Sequence, residues 1–432
     1  MKFQKICVLG LGYIGLPTAS TFATHGLQVI GVDVNSQVVD RLKEGELHIY
    51  EPGLRTLVQA ALRSGNMVIE LQPQPADAFI IAVPTPFKED KKADLQYVVS
   101  ASESIVPHLR QGSLVVLEST SPPRTTVDVV QPILERSGLK AGRDFFLAYS
   151  PERVLPGQIL RELIENARVI GGIDPASSEA GRDLYATFVR GEIILTEATT
   201  AEMVKLMENT YRDVNIAIAN EFARLADRFG VDVWEAITLA NLHPRVRILN
   251  PGPGVGGHCI SVDPWFLVEA APDISPLIRT ARNVNDSQPD FVVNLICRVM
   301  GSLDICRVAA LGLAYKPDVD DLRESPAIEI CHKLAEGGAR VVAYEPYKPE
   351  YHQNGFETVT TLAAALSGAN VLLLTVGHAA LRALEPQVVA ELTDARVVID
   401  CVNAWSGPEW EQYGFRIYRL GVGKSIEVGS EE

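Results

Sequence analysis

No stretch of this sequence stays apolar for the roughly 20 residues that a membrane-spanning helix needs. The run Val371-Leu372-Leu373-Leu374-Thr375-Val376 has only the length of a buried strand. The opening residues Met1-Lys2-Phe3-Gln4-Lys5 lack the apolar core and small-residue cleavage site of a secretory signal. A cytoplasmic protein with no membrane partner is therefore expected. A basic excess is also missing: 39 Lys and Arg stand against 54 Asp and Glu, a net charge of -15. That field disfavours nucleic acid and anionic bilayers as partners. It also opposes any anionic substrate, so local Lys and Arg would have to overcome it. Cysteine is scarce, with six in 432 residues, none in a C-x-x-C pair and none at zinc-ligand spacing with His. No metal site is expected. Cys7, Cys297, Cys306, Cys331 and Cys401 lie among apolar residues and read as small core residues. Cys259 differs, because it follows a glycine loop and has polar neighbours.

The chain is long enough for two or three domains, and its 47% hydrophobic content is ample for their cores. Short runs rich in Val and Ile at 5–10, 28–32, 78–83 and 114–117 read as strands buried on both faces. Their alternation with helical patterns implies a doubly wound parallel sheet. From 199 to 229 the pattern changes. Met203, Leu206, Met207, Thr210, Val214, Ile218 and Phe222 recur at three- and four-residue spacing, which predicts one helix of about 30 residues. Helices at 233–241 and 264–270 extend an all-helical middle to about residue 298. Strands at 307–311, 340–343, 371–376 and 395–400 restart the alternation. The expected fold class is α/β: two Rossmann-like doubly wound domains, 1–198 and 299–432, joined by a long-helix all-α centre at 199–298. Such a helix commonly supports both neighbours or a dimer partner. The tail 421–432 is polar and reads as frayed.

Gly10-Leu11-Gly12-Tyr13-Ile14-Gly15 follows the first strand and opens a helix. Gly10 permits the tight turn, Gly12 lets backbone approach a pyrophosphate, and Gly15 allows close helix–strand packing. The helix N-terminus offers partial positive charge to the phosphates, and Pro17 sits in the first turn, where a missing N–H costs little. The pattern alone is weak evidence. Here Asp33 ends the second strand, where a carboxylate can accept ribose hydroxyls and repel a 2′-phosphate. NAD is expected as the cofactor. Two loops leave neighbouring strand ends, Val83-Pro84-Thr85-Pro86 and Glu118-Ser119-Thr120-Ser121-Pro122-Pro123. Thr85 and Thr120 could line the cofactor or hold a water; the bland alternative is a pair of proline-stiffened turns.

Cys259 ends Pro251-Gly252-Pro253-Gly254-Val255-Gly256-Gly257-His258-Cys259. Four glycines let backbone amides crowd a ligand, and amides beside a thiol favour its nucleophilic thiolate. His258 need not face the same way and reads as structural. Asp263 precedes Pro264 and an apolar run, the pattern of a helix N-cap; one carboxylate oxygen could cap while the other serves chemistry. Lys205, Asn209 and Arg212 share a polar stripe on the long helix. That stripe is either a solvated face, or a lysine for proton exchange with an amide one turn away for an oxyanion.

Taken together these pieces resemble the UDP-glucose/GDP-mannose dehydrogenase family, essentially end to end. The likeness rests on the glycine fingerprint, Val83-Pro84-Thr85-Pro86, Glu118-Ser119-Thr120, Ser150-Pro151-Glu152-Arg153-Val154, Lys205-Leu206-Met207-Glu208-Asn209, Gly256-Gly257-His258-Cys259, and Lys316-Pro317-Asp318 through Arg323-Glu324-Ser325. Within the family, Asn241-Leu242-His243-Pro244-Arg245-Val246, the glycine loop and Val262-Asp263-Pro264-Trp265-Phe266 look most like the members acting on UDP-N-acetylmannosamine. Members acting on C6 of UDP-N-acetylglucosamine come next.

The resemblance implies a four-electron oxidation of the sugar C6 hydroxyl to a carboxylate. Lys205, or a water it holds, takes the hydroxyl proton. Cys259 forms a thiohemiacetal and then a thioester, and a water positioned by Glu152, Thr120 or Asp263 releases the acid. Lys205 and Asn209 stabilise the oxyanions. Substrate binding falls to Arg153, Val154, Arg212, His243, Arg245, Gly256, Tyr315 and Lys316 as well as Lys205 and Asn209. These cations answer the charge problem. Tyr13 and Ile14 join the glycines at the cofactor, with Arg323 at the pyrophosphate of its own or a neighbouring subunit; Arg245 too could cross between subunits. A homodimer or higher oligomer is implied. Two departures stand out. Pro156 replaces the second Glu of UDP-glucose members, and Val402 stands in Asp400-Cys401-Val402-Asn403 where Lys or Arg is usual. Two other classes fit parts of the pattern. A two-electron 3-hydroxyacid dehydrogenase needs neither loop cysteine nor second nucleotide fold, and a non-catalytic NAD-sensing scaffold would show no turnover.

Overall fold

The computed structural model describes residues 2–88, 90–155, 157–304 and 306–423. Pro156, on which one departure rests, lies outside them. The chain divides into two compact units, one running to Glu208 and including Trp265–Ile274, the other Asn209–Pro264 with Ser275 onward.

In the first unit eight strands form one sheet: β1 (Lys5–Leu9), β2 (Gln28–Val32), β3 (Met67–Glu70), β4 (Ala78–Ile81), β5 (Leu114–Leu117), β6 (Phe146–Tyr149), β7 (Arg168–Gly172) and β8 (Ile193–Glu197), in the order 3-2-1-4-5-6-7-8. The central strands are short and Val/Ile-rich because both faces are covered. Ile6 and Val8 pack into one apolar layer, and Cys7 and Leu9 into the other. The sheet departs from the expected all-parallel pairing at one place, where β6 and β7 run antiparallel. The reason is a contact distant in sequence. Buried Glu51 accepts the N–H groups of Gly157 (2.8 Å) and Ile159 (2.9 Å), so the connection after β6 stays at the strand-end edge where β6 finished. β7 therefore starts at that edge and runs back.

In the second unit β9 (Arg307–Leu311), β10 (Arg340–Tyr344), β11 (Glu357–Thr358), β12 (Val371–Leu374), β13 (Val397–Asp400) and β14 (Arg416–Arg419) form an all-parallel sheet of order 11-10-9-12-13-14. It too is covered on both faces. The long helix is Ala198–Phe229, 32 residues, followed by helices Val233–Ala240, Asp263–Ala270, Pro276–Asp286 and Gln288–Met300. Its expected apolar line is not closed along its length: Leu206 is buried, whereas Met207, Ile218 and Phe222 are exposed.

The start of the tail is not frayed. Gly421 accepts the N–H of Val233 at 3.0 Å, and Val422 is buried. Residues 424–432 lie outside the described ones. No helix among the described residues is long and apolar enough to cross a membrane.

Candidate active site

The cofactor turn is built as its glycines require. Gly10 has φ +91°, and a Cβ there would sit 2.5 Å from the Ala82 carbonyl oxygen. A Cβ on Gly15, which opens helix Gly15–Thr24, would fall 1.8 Å from the Gly10 oxygen. A Cβ on Gly12 would meet nothing within 4 Å. The first two positions are thus dictated by packing, and the third faces open space of the kind a pyrophosphate would fill. Asp33 follows β2. Its Oδ2 accepts from Leu11 N at 3.0 Å and its Oδ1 from Asn35 N at 2.9 Å, leaving each oxygen a lone pair for a ribose hydroxyl. Tyr13 and Ile14 are half-buried on the same turn. The residues present fit a dinucleotide. Thr85 donates its hydroxyl to the Thr120 carbonyl at 2.6 Å, tying together the two loops that follow β4 and β5.

The same unit holds Glu152, Arg153 and Val154 on the connection after β6, and Lys205 on the long helix. The Glu152 Oε1 accepts from Arg153 N at 2.7 Å, and its Oε2 from Arg168 at 3.2 Å. Arg153 pairs with Glu208 at 2.8 Å, and Val154 packs against the core. The stripe on the long helix is not wholly solvated: Lys205 and Asn209 are buried, and only Arg212 is exposed.

The second unit carries the cysteine loop. Gly257 has φ +86°, and a Cβ on it would lie 2.7 Å from the Tyr315 ring. A Cβ on Gly256 would lie 2.3 Å from the Glu324 oxygen. The loop thus rests directly on the turn after β9. A hydrogen-bond chain fastens its start: Gly252 N to Asn220 (2.9 Å), Asn220 to Asn285 (2.9 Å), Asn285 to Asp213 (2.8 Å), and Arg282 to Asp213 (2.5 Å). Cys259 is exposed, whereas Cys7, Cys306, Cys331 and Cys401 are buried and Cys297 is half-buried.

Asp263 is the first residue of its helix rather than the residue before it. Its N–H reaches the Cys259 carbonyl at 2.8 Å, and its carboxylate accepts the Asn209 amide at 2.5 Å. Burial and the nearby Arg212 lower the pKa of Lys316, with Asp321 and Cys259 pulling it the other way. Burial, with Asp321 and Cys259, pushes the Tyr315 phenol up to about 12. Arg212, Tyr315, Lys316, Asp321 and Cys259 therefore share one electrostatic neighbourhood. Arg323 forks onto Asp321 at 2.9 and 2.6 Å. His243 and Arg245 stand exposed beyond the short helix Val233–Ala240, the Arg245 N–H donating to His243 Nδ1 at 3.3 Å. The Val402 carbonyl accepts from Arg382 at 3.2 Å, so a cation stands beside this position from a different residue.

The sequence reading gave no role to several residues. Arg168 opens β7 and is buried among Glu118, Glu152 and Ser150. Its signal was a lone arginine heading the apolar run Arg168-Val169-Ile170. Glu51, Glu345 and His378 are likewise buried and bonded to site loops.

The chain matches known proteins over nearly its whole length. Residues 4–189 match the NAD binding domain of the UDP-glucose/GDP-mannose dehydrogenase family, 199–287 its central domain and 309–407 its UDP binding domain. The sequence is 48% identical to a UDP-N-acetyl-D-mannosamine dehydrogenase of Methanocaldococcus jannaschii, over 98% of this chain and 97% of the relative. It is also 48% identical to an NDP-N-acetyl-D-galactosaminuronic acid dehydrogenase of Ralstonia solanacearum, over 94% and 97%. Among solved structures, a UDP-D-ManNAc dehydrogenase from Pyrococcus horikoshii superposes with a TM-score of 0.90 at 39% identity, covering 98% of this chain and 100% of that one. The UDP-N-acetyl-mannosamine dehydrogenase of S. aureus gives 0.89 at 42%, covering 98% and 99%. With a dinucleotide turn that fits its cofactor NAD, and a second nucleotide fold backing an exposed cysteine, the chain belongs to the UDP-glucose/GDP-mannose dehydrogenase family.

Proposed function

We propose that the protein oxidises the C6 hydroxyl of UDP-N-acetyl-D-mannosamine to the carboxylate, through a covalent intermediate on Cys259. The observation that carries this reading is the placement of Cys259. It is the exposed thiol among the six, on a glycine loop seated on Tyr315 of the UDP-binding fold and beside Lys316. NAD, when bound, accepts one hydride in each of two successive oxidations. The chain's own residues do the rest. Lys205 takes the hydroxyl proton. Cys259 adds to the aldehyde, because a bare aldehyde must become tetrahedral before it can be oxidised again. Asn209, fixed by Asp263, offers its remaining amide hydrogen to the oxyanion. Glu152, with Thr120 or Asp263, orients the water that hydrolyses the thioester. Gly10, Gly12, Tyr13, Ile14, Gly15, Asp33, Thr85 and Thr120 hold NAD, with Arg323 at its pyrophosphate. Arg153, Val154, Arg212, His243, Arg245, Gly256, Tyr315 and Lys316 hold the UDP-sugar. In this reading 1–198 binds NAD, 199–298 supplies Lys205 and Cys259, and 299–432 binds UDP. Both ligands are cytoplasmic metabolites, which supports that location.

The N-acetylmannosamine assignment is supported by the named relatives at 45–48% identity. A galactosamine-series relative reaches the same 48%, so the test is a turnover panel of UDP-N-acetyl-mannosamine, -glucosamine and -galactosamine with UDP-glucose. Two NADH per sugar are expected, with UDP-N-acetyl-D-mannosamine turned over fastest. One NADH per sugar, or acid made by Cys259→Ala near the wild-type rate, would refute the covalent route. Cys259→Ser should bind both ligands and release little acid.

A homodimer is part of the same proposal. Ile218, Phe222, Leu225 and Phe229, all exposed, follow 4-3-4 spacing on the long helix, and the last three border an apolar groove of about 340 Å³. Such a seam is self-complementary to a second copy of the same helix. Phe222→Glu should yield monomers in sedimentation analysis; a wild-type monomer would overturn the dimer.

A further inference from the structure

We propose that Arg168 and Glu118 form a buried positioning pair that aims the Glu152 carboxylate at the hydrolytic water. This rests on the reading above, in which Glu152 serves thioester hydrolysis.

The geometry is specific. Arg168 is buried at the start of β7 and directs its guanidinium to three acceptors at once. Nε donates to Ser150 Oγ at 2.9 Å, one terminal nitrogen to Glu152 Oε2 at 3.2 Å, and the other to Glu118 Oε1. Tyr185, from helix Pro175–Tyr185, donates to the same Glu118 oxygen at 2.8 Å and lies under the guanidinium at 4.0 Å. Glu118 comes from the end of β5 and Ser150 from the end of β6, so four elements converge on one cation. A planar fork suits this, because an ammonium offers its three N–H groups from one freely rotating nitrogen rather than from a rigid, spread plane.

The cost of the arrangement points to a use. Two carboxylates and one guanidinium leave the core one negative charge in excess when both acids are ionised. Burial pushes Glu118 up to about 7, against the pull of Arg168. Its Oε2 is buried with no hydrogen-bond partner among the described residues. A purely structural ion pair would need one carboxylate, not two. The second, Glu152, lies on the connection that leaves the sheet edge, and Arg153 N holds its other oxygen at 2.7 Å. Glu152 is thus fixed at both oxygens, each with a lone pair to spare.

In the step it serves, the water oxygen bonds to the thioester carbon as the C–S bond breaks. One water proton passes to the Glu152 carboxylate, sulfur leaves as the Cys259 thiolate, and the new carboxylic acid ionises to solvent. No oxidant is consumed.

The test measures steady-state kinetics with UDP-N-acetyl-D-mannosamine and NAD, intact mass after rapid quench, and thermal unfolding, for Glu152→Gln, Arg168→Lys, Glu118→Gln and the double variant Glu152→Gln/Arg168→Lys. Arg168→Lys should lower kcat at least about tenfold with both KM values within about twofold, and the acyl-enzyme mass should accumulate. Glu118→Gln, nearly isosteric and able to keep one bond to Arg168, should fold and show the same accumulation in milder form. The double variant should be no slower than Glu152→Gln alone, because positioning a lost carboxylate has no further effect. Lower unfolding temperature with unchanged kcat and no acyl-enzyme in both Arg168→Lys and Glu118→Gln would overturn the proposal and leave a structural pair. Arg168→Lys slowing the Glu152→Gln background as much as the wild type would overturn it too. Full activity in Glu152→Gln would overturn the role of Glu152 itself, and the positioning proposal with it.

Discussion

Replacing Gly12 by Ala should separate cofactor binding from folding in a way that replacing Gly15 cannot. A Cβ at Gly12 meets no atom within 4 Å, so the methyl fits the protein. Its effect on stability should stay within about 0.5 kcal/mol, as for an open surface position. The methyl does occupy the space through which backbone N–H groups would reach a pyrophosphate. Losing one charge-assisted hydrogen bond is worth about 1.5–3 kcal/mol, and at 1.36 kcal/mol per tenfold this is roughly 13- to 160-fold in NAD affinity. A Cβ at Gly15 instead collides with the Gly10 oxygen at 1.8 Å. The helix must move off β1, and a cost in the overpacking range of about 1–3 kcal/mol or more is expected. Urea unfolding and calorimetric titration with NAD give the two quantities for each variant. The reasoning is refuted if Gly12→Ala binds NAD as wild type does, or if it loses as much stability as Gly15→Ala.

Asp33→Ala should weaken NAD and narrow the preference over NADP, because it removes a ribose acceptor and a charge that repels a 2′-phosphate; an unchanged NAD/NADP ratio of kcat/KM would exclude Asp33 from the site. In its proposed role Lys316 would bind phosphate only when protonated, and burial lowers its pKa below the ordinary lysine value of 10.5. The KM for UDP-sugar should therefore rise with pH before an ordinary lysine would titrate, and Lys316→Arg should flatten that limb; identical pH profiles would assign the limb elsewhere. Asn209→Ala takes a donor from the buried Asp263, which should cost about 1–3 kcal/mol in urea unfolding and lower kcat; unchanged stability would show that the bond contributes nothing.

The sheet centres were legible because a strand buried on both faces must be apolar throughout, as Ala78–Ile81 and Val371–Leu374 are. Three of the six strands that sequence reading passed over lack that signature, whereas Phe146–Tyr149 carries it and was missed all the same. Met67–Glu70 exposes Val68, Glu357–Thr358 is two residues long, and Arg416–Arg419 begins and ends in arginine. The antiparallel turn of β7 depends on Glu51, more than 100 residues from the N–H groups it holds, and no local pattern carries that information. The site divides the same way. The glycine turns and Cys259 announce themselves, since few structural reasons call for four glycines before a cysteine. Arg168 is invisible because its meaning lies in Glu118, 50 residues away, and in Glu152. For Lys205 and Asn209 the helix pattern alone left a solvated face and a chemical role both open, because burial of a helix face is decided by tertiary packing, not by the helix.

The two nucleotide folds show why one scaffold can be turned to two ligands. Both sheets share the order 3-2-1-4-5-6 through their first six strands. In both, a glycine with φ +91° follows the first strand and donates to the end of the second: Gly10 to Val32 at 2.8 Å, Gly312 to Tyr344 at 2.9 Å. In both, the next residue donates to an acid just past that second strand, Leu11 to Asp33 and Leu313 to Glu345. The acids then diverge. Asp33 is short and half-buried, and keeps lone pairs for a ribose. Glu345 is one methylene longer and reaches back under its own turn. It is buried and takes the N–H groups of Leu313, Ala314 and Tyr347 together with His378. Its acceptor capacity is largely spent on the protein. Ala314, the counterpart of Gly12, carries a methyl, and its N–H points to Glu345 rather than outward. The second turn therefore cannot receive a pyrophosphate on bare backbone in the way the first does. In the proposed function that charge comes from a side chain, Lys316, two residues further on. On that proposal the missing glycine and the added lysine are one physical change, from recognition by backbone dipoles to recognition by a full charge.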